Sequence, residues 1–313
     1  MKRPFMKRPF VMLAFAALCS GAFPAGAQAY HRALVTGRPL CVFWPVREFV
    51  YHLDAAGSAR TPGDSEFAAI DAAVASWRAV SATCSDYTFR RGPDIARPFV
   101  GYVRGEENEN VFTFRESDCN DVVPPGDPCI DQRTCRNVYA CWEHDGGVLA
   151  LTTTTYVLST GKVLDADIEL NAAGEGRGFL FTTVDSPPCS GERVSDCVVT
   201  DVQNTMTHEL GHVVGLDHVP EQPGSTMEPA ALPGETHKRI IDAGSVAGFC
   251  DTYPRGLPPT QCNENPEIGR NFLAVTRGLG SGCAAAPGAL LLPVSALFGA
   301  WSVGRRRRGS RRG

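Results

Sequence analysis

The pattern of apolar and polar positions changes several times along the chain. Residues Leu40 to Leu53 are rich in Val, Phe, Trp and Tyr, which is typical of a strand. A helix is predicted next, with Asp64 or Ser65 as its cap. Its apolar residues recur at spacings of three and four, namely Phe67, Ile70, Val74, Trp77 and Val80. Such a stripe indicates packing against a core rather than a ligand site.

Short strands and one hairpin are predicted after this helix. Asp86 to Phe89 and Val111 to Phe114 are strand-like. Val148 to Leu158 and Val163 to Leu170 are β-rich segments separated by Ser-Thr-Gly-Lys, which predicts a hairpin. The stretch before them, residues 115–147, contains four cysteines and a Pro-Pro-Gly turn. This composition predicts an insertion pinned by disulfides.

Two further helices complete the predicted elements. Asp201 can cap a helix that carries the apolar residues Val202, Met206, Leu210, Val213 and Val214. Another helix is predicted from about Glu235 to Cys250. Because strands and helices follow one another without strict alternation, we expect a single α/β domain with a mixed sheet.

Both ends of the chain are interpreted as targeting segments. Residues 1–29 have a basic start, a short apolar run and a small-residue ending, which is typical of a signal peptide. Residues 283–313 begin with Cys283, continue with an uncharged stretch of 20 residues and end in six arginines. Such a stretch can span a bilayer with the arginines on the cytoplasmic side, although a merely apolar tail is the alternative.

The C-terminal segment resembles the sorting tails of myxobacterial surface proteins. The resemblance rests on the order of cysteine, apolar segment and arginine cluster. It implies recognition at Cys283, followed by cleavage and attachment to, or release from, the cell surface. We therefore expect a secreted or surface-exposed protein that contacts the membrane through its tail before processing.

The body between these ends is acidic. The chain has 30 basic and 34 acidic side chains, but ten of the basic ones lie in the two ends, so residues 30–304 carry a balance of −14. An acidic body is a poor partner for nucleic acid, because phosphate binding depends on Lys and Arg. We expect a monomer with one folded domain at residues 30–255 and a stalk rich in Pro, Gly and Asn at residues 256–282.

Ten cysteines remain in the body, and an even number in an exported chain predicts a disulfide framework. They are Cys41, Cys84, Cys119, Cys129, Cys135, Cys141, Cys189, Cys197, Cys250 and Cys262. Close pairs such as Cys189 with Cys197 and Cys250 with Cys262 are plausible bridges, but spacing does not decide the connectivity. A four-thiolate zinc site in the insertion is the alternative, although no Cys-x-x-Cys pair supports it.

The residues with the clearest chemistry lie in the helix after Asp201. His208 and His212 are four residues apart, so they lie on one helix face and can bind one metal. Gly215 can take the left-handed conformation that ends a helix, which lets His218 approach from another side. Three imidazoles favour zinc and leave one coordination position open, as in a catalytic site.

Glu209 follows the first of these histidines. Zinc lowers the pKa of a bound water towards neutrality, and Glu209 is placed to accept its proton before the hydroxide attacks a polarised carbonyl. This pattern predicts hydrolysis of peptide bonds in a protein or peptide substrate, without a covalent intermediate. Ordinary structural roles are expected for the other histidines, which are His31, His52, His144 and His237.

The histidine run resembles the extended zinc signature of the metzincin metalloproteases. Met227, nine residues after His218, resembles their Met-turn, and its Met-x-Pro ending together with Asp201 to Asn204 is most similar to the matrixins. The resemblance covers roughly residues 38–254. It implies a mixed, mostly parallel twisted sheet with an active-site helix and a C-terminal helix, and zinc in a cleft between two subdomains. It also implies that Met227 is an apolar floor beneath the metal.

The chain departs from the matrixin pattern at two positions. Val219 stands where Ser or Thr is usual, and Glu228 stands where Tyr is common, which leaves the subfamily open. No propeptide switch of the Pro-Arg-Cys-Gly type precedes the domain, so the control of latency is also open. Matrixins bind structural calcium, which is a candidate for Asp165, Asp167 and Glu169. A solvated strand face is the alternative for these three acids.

An exported zinc endopeptidase is the function predicted from these residues. A catalytically silent protein that keeps the fold for surface binding or adhesion is the alternative, and a zinc hydrolase acting on another bond is a third. The presence of Glu209 with all three ligands favours the endopeptidase, because proteins that lose catalysis tend to lose one of these groups.

Overall fold

The structure, a computed structural model, describes residues 30–174 and 178–262 and the backbone of residues 281–285. The predicted signal peptide, the stalk from residue 263 to residue 280 and the tail beyond residue 285 lie outside the described residues. Within the described residues, no helix has both the length and the apolar character needed to cross a membrane.

A mixed sheet forms the centre of the fold. The strands in the described part of the chain are β1 (His31–Arg32), β2 (Glu48–Leu53), β3 (Thr88–Arg91), β4 (Asn110–Arg115), β5 (Val148–Tyr156), β6 (Val163–Asn171), β7 (Phe181–Thr182), β8 (Thr200–Asp201), β9 (Leu216–Asp217), β10 (Ala230–Ala231) and β11 (Ser281–Ala285). Seven of them form one sheet in the order β10-β11-β5-β6-β4-β2-β3. β3, β2, β4 and β6 run parallel, and β5 runs antiparallel to β6, which confirms the predicted hairpin.

The strand predicted over Leu40 to Leu53 is confirmed only in its second half. Cys41 and Phe43 make isolated bridges instead of continuing β2. Pro45, which has no N–H to donate, lies between the two parts. Two short pairs complete the strands: β1 is antiparallel to β9, and β7 is parallel to β8.

The helices lie beside this sheet. They are α1 (Ser65–Cys84), α2 (Cys119–Val122), α3 (Pro128–Gln132), α4 (Cys135–Val138), α5 (Val202–Val213) and α6 (Ala243–Thr252), with a 3₁₀ turn at His237–Arg239. The predicted stripe of α1 faces the core, where the Trp77 side chain is buried and its indole N–H donates to the Thr207 carbonyl of α5 at 2.9 Å. This contact ties α1 to the helix that carries the histidines.

The helix predicted from Glu235 to Cys250 is wrong over its first half. A 3₁₀ turn occupies His237–Arg239, and α6 begins only after Asp242. The reason is a cap: a carboxylate oxygen of Asp242 accepts hydrogen bonds from the backbone N–H groups of Gly244 and Ser245. An aspartate in this role begins a helix rather than continuing one.

The ten body cysteines form five disulfides. Cys189–Cys197 is confirmed, whereas the pairing of Cys250 with Cys262 is wrong. The described bridges are Cys41–Cys262, Cys84–Cys250, Cys119–Cys141, Cys129–Cys135 and Cys189–Cys197. α6 packs against α1, which places Cys250 beside the last residue of α1, with 5.6 Å between the two Cα atoms. The bridges Cys119–Cys141 and Cys129–Cys135 use all four cysteines of the insertion, so the alternative of a four-thiolate zinc site is wrong.

Candidate metal centre

Three histidines converge on one point at the end of α5. The Nε2 atoms of His208, His212 and His218 lie 3.1 to 3.2 Å from one another. Among the described residues, these three histidines are the group of His, Cys, Asp and Glu side chains close enough to hold a metal ion. Their nitrogens therefore form a nearly equilateral triangle, as the sequence spacing predicts.

The tautomers of two of these rings are fixed by backbone carbonyls. His208 Nδ1 lies 2.6 Å from the Thr226 oxygen, and His212 Nδ1 lies 2.9 Å from the Leu216 oxygen. A carbonyl can only accept a hydrogen bond, so each Nδ1 carries the proton and each Nε2 presents a lone pair. Lone pairs facing one another at this distance repel unless a cation lies between them. The donor set therefore fits a metal ion.

The spacing of the triangle also fits zinc. Zinc–nitrogen bonds of about 2.0–2.1 Å in a tetrahedral site require nitrogens about 3.3 Å apart. Burial lowers the pKa of His212 to about 4 and that of His218 to about 3, and it lowers the pKa of His208 well below its usual value. The three rings are thus neutral at physiological pH, which is the form that binds metal.

Local chain geometry brings the third histidine into place. α5 begins at Asp201, whose carboxylate accepts from the backbone N–H of Asn204 at 2.7 Å. The helix ends after Val213, and Gly215 has a φ of +88° in the left-handed region. A Cβ atom at Gly215 would lie 2.6 Å from the Val42 carbonyl oxygen, so both the conformation and the space require glycine.

Met227 lies beneath the histidine helix. Its side chain is buried, and a Cβ atom at Gly211 would lie 2.3 Å from its Sδ atom. Gly211 is next to His212, so the small residue allows the thioether to pack directly against the ligand-bearing turn. The backbone N–H of Val219 donates to the Met227 carbonyl at 2.9 Å and joins this turn to the segment after His218.

Glu209 is held by a residue that the sequence did not reveal. Its side chain is fully buried, and its Oε2 atom accepts a hydrogen bond from the Thr152 hydroxyl at 2.7 Å. Thr152 lies on β5, which packs against α5. No local signal marks Thr152, because it is one of four consecutive threonines and only the packing of strand on helix selects it.

Asp242 is a second residue that sequence reasoning missed. Besides capping α6, its Oδ2 atom accepts from the Thr226 backbone N–H at 2.8 Å and from the Ser245 hydroxyl at 2.6 Å. Burial alone would raise the pKa of Asp242, but the hydrogen bonds from Ser245 and Thr226 hold it below its usual value. Since the Thr226 carbonyl accepts the His208 Nδ1 proton, Asp242 supports this candidate metal ligand through two successive hydrogen bonds. The sequence signal for Asp242 is its position directly before Ala-Gly-Ser, where an aspartate can cap the start of a helix.

Among the described residues, the calcium candidates Asp165, Asp167 and Glu169 do not form one group of three ligands, although Asp165 and Asp167 share a side-chain hydrogen bond. All three are buried, so the alternative of a solvated face is wrong, and calcium binding stays a prediction. Asp167 accepts backbone N–H bonds from Gly101 at 2.7 Å and Val111 at 2.9 Å. These acids lie on β6 between β4 and β5, where the loop at Gly101 contacts Asp167 and residues from β4 and the insertion contact Glu169.

Glu169 is instead the centre of a buried charge cluster. Its Oε1 atom lies 2.7 Å from Arg115 Nε, and its Oε2 atom lies 3.3 Å from His144 Nε2 and 3.5 Å from Arg136. Both Glu169 and Arg115 are almost completely buried. The cluster joins β6 to the cysteine-rich insertion, because Arg136 and His144 belong to that insertion.

The other histidines lie apart from the triangle. His52 Nδ1 is 2.8 Å from the Pro93 carbonyl oxygen, and His31 is paired with Glu221. His237 lies near Glu235 on the 3₁₀ turn.

Comparisons with known proteins do not assign this chain to a family. No protein-family model matches the chain, and no curated protein is significantly similar to it.

Proposed function

We propose that this protein is an exported zinc-dependent endopeptidase of the metzincin type, similar to the matrixins. One observation carries the proposal: three imidazole Nε2 atoms form a triangle with edges of 3.1 to 3.2 Å, and Glu209 lies on the same helix between two of these ligands. Three neutral nitrogen ligands with a neighbouring carboxylate suit metal-assisted hydrolysis.

The roles of the residues follow from their placement. A zinc ion bound by His208, His212 and His218 would supply a Lewis acid and lower the pKa of a bound water. Glu209 accepts a proton and later donates it to the departing amine. Thr152 orients the Glu209 carboxylate through its hydroxyl group. Protein or peptide chains are the proposed substrates.

The fold and the sequence context support the assignment to an exported protease of the metzincin type. The described residues form a mixed, mostly parallel sheet with the histidine helix beside it and a further helix after Met227. Five disulfides suit an exported protein. The proposed domains are a signal peptide at residues 1–29, the protease at 30–255, a stalk at 256–282 and a sorting tail at 283–313, which contacts the membrane before processing.

Metal content and cleavage together test this proposal. The mature chain from residue 30 is purified in detergent, and zinc is measured in wild type, Glu209→Gln and His212→Ala. Wild type and Glu209→Gln should each hold one zinc per chain, and His212→Ala should hold much less. Denatured casein should be cleaved by wild type after removal of the residues beyond Cys262, and a zinc chelator or Glu209→Gln should abolish the cleavage.

His237→Ala is the matched control for a histidine outside the triangle, and it should keep both zinc and activity. A wild-type chain without zinc would refute the proposal. If the protein holds zinc but cleaves no substrate, either as the mature chain or after removal of the residues beyond Cys262, the catalytically silent surface protein would be the better assignment.

A further inference from the structure

The strand β11 occupies a groove beside the metal centre. It lies between β5, to which it is antiparallel, and β10, to which it is parallel. Ser281 is opposite Thr152, Cys283 is opposite Ala150, and Ala284 is opposite Ala230. β11 also approaches α5, the histidine helix. A five-residue segment from far along the chain is thus inserted into the sheet next to the ligands.

The position of β11 relates directly to the catalytic groups. Its first residue pairs with Thr152, whose hydroxyl binds Glu209. Its other neighbour, β10, begins three residues after Met227. An extended polypeptide that reaches Glu209 along β5 must therefore occupy the backbone positions that β11 already holds. Addition of an extended chain to a free strand edge is a common mode of peptide binding.

The sequence of β11 suits such a position. Ser-Gly-Cys-Ala-Ala has no charge and no large side chain, so its backbone can lie close to a helix. Without β11, the side of β5 from Val148 to Thr152 would be an unpaired sheet edge. Unpaired edges attract other extended chains.

We propose that residues 281–285 are an intramolecular inhibitor, which fills the substrate groove and keeps the enzyme latent. This inference rests on the proposed endopeptidase function. Only 18 residues separate β11 from Cys262, which a disulfide attaches to Cys41. Such a tether gives a local concentration on the order of millimolar, so weak pairing is enough to hold the segment in place. Cutting the chain, or drawing the residues after β11 into a membrane, opens the groove.

A cut made after folding tests the proposal on the full chain. The recognition site of a sequence-specific protease is placed between Cys262 and Ser281, and cleavage of a quenched peptide library is measured before and after cutting. Activity should rise at least tenfold on cutting. Equal activity in the cut and uncut proteins would overturn the inference and leave the proposed function intact, whereas inactivity of both with zinc bound would count against the proposed function.

A peptide added back to the cut protein tests the pairing itself. A peptide from Leu279 to Pro287, with serine in place of Cys283 so that no thiol can bind the metal, should inhibit the cut enzyme competitively. Its fluorescent form should bind the cut Glu209→Gln protein, a readout that needs no catalysis. A peptide that neither binds nor inhibits would contradict the proposal.

Proline substitution separates strand pairing from mere proximity. Gly282 lies inside the run that pairs with β5, opposite Leu151, and proline inside a paired strand disfavours that pairing, whereas alanine does not. In the uncut chain, Gly282→Pro should reach the activity of the cut enzyme, and Gly282→Ala should stay latent. If Gly282→Pro does not fold, the same two substitutions are made in the Leu279 to Pro287 peptide. The peptide with Gly282→Ala should then bind the cut protein, and the peptide with Gly282→Pro should not. Equal binding of the two would overturn the inference.

Discussion

The Thr152 hydroxyl donates a hydrogen bond to the Oε2 atom of Glu209 at 2.7 Å and thereby joins β5 to the histidine helix. Both side chains are buried, so the bond is shielded from water. It fixes one carboxylate oxygen of the proposed base at a defined position.

Thr152→Val removes this donor while nearly conserving the side-chain volume. A hydrogen bond to a charged group contributes about 1.5–3 kcal/mol, so kcat should fall roughly tenfold or more while zinc content stays at wild-type level. Steady-state kinetics of the cut enzyme, with zinc analysis, measure both. Thr153→Val is the control, since neighbouring residues on a strand point to opposite faces, and it should keep near-normal kcat. Equal losses in the two variants would show that the Thr152 hydroxyl does not position the base.

Asp242→Ala should weaken both the fold and the metal site. It removes the cap of α6 and the acceptor of the Thr226 N–H, which together should cost about 2–3 kcal/mol in the free energy of unfolding. Zinc affinity should fall about tenfold or more, because groups that support a ligand typically contribute this much. Urea denaturation and competitive zinc titration measure the two effects.

The control for this variant is an aspartate that precedes another helix without capping it through its side chain. Asp64 precedes α1 but makes no side-chain capping hydrogen bond. Asp64→Ala should change the free energy of unfolding by less than about 0.5 kcal/mol. If the two alanine variants were equally stable, the network around Asp242 would carry no energetic weight.

The buried cluster at Glu169 predicts a specific dependence on pH. Burial alone would raise the pKa of Glu169, but His144, Arg115 and Arg136 lower it to about 2. In an unfolded chain the value is about 4.3. Because the folded-state pKa is the lower one, the contribution to stability is fully present above about pH 4.3 and is lost as the pH falls towards 2.

Comparison of wild type with Glu169→Gln measures this contribution. The difference in unfolding free energy should be on the order of 3 kcal/mol at pH 7 and should shrink steadily between pH 4.3 and pH 2. Urea denaturation across this range, with disulfides intact, provides the values. Glu48→Gln breaks the exposed pair with Arg90 and should give a difference below about 1 kcal/mol at every pH. A gap that does not change with pH would exclude a charged Glu169.

The disulfides predict unequal losses of stability. Cys84–Cys250 closes a loop with a sequence separation of 166, and Cys129–Cys135 closes one of 6. Loop-closure entropy gives about 2 kcal/mol for the short loop and about 4 kcal/mol for the long one, because the intact Cys41–Cys262 bridge leaves an alternative path of about 55 residues. Replacing both cysteines of each pair with serine, followed by thermal denaturation, should therefore lower Tm more for the long loop. The reverse order would contradict this assignment.

Local features of the site were predictable from the sequence, whereas its supports were not. His208, His212 and Gly215 act through helix spacing and a single backbone conformation, so their arrangement follows from short-range rules. Thr152 and Asp242 act across contacts between distant segments, and nothing in a single sequence specifies which strand or loop will face the histidine helix.

The same distinction between short-range and long-range contacts explains which predictions of the fold were wrong. The Cys189–Cys197 bridge joins near neighbours and was found, but Cys250 pairs with Cys84 because α6 returns to α1. Alternating acids on β6 are compatible with one exposed face, yet that strand is buried from Asp165 onward, where Arg115 pairs with Glu169 and backbone N–H groups bind Asp167.

The Cys41–Cys262 disulfide determines how the molecule responds to mechanical load. A force that pulls on the chain beyond residue 262 is transferred to Cys41, near the start of the domain, and bypasses α6 and the turn that supports His208. Between that bond and the point of pulling, β11 is the described element exposed to the full tension. Tension on the C-terminal segment should therefore separate β11 from β5 and leave the three histidines in place, so that force would relieve the proposed inhibition.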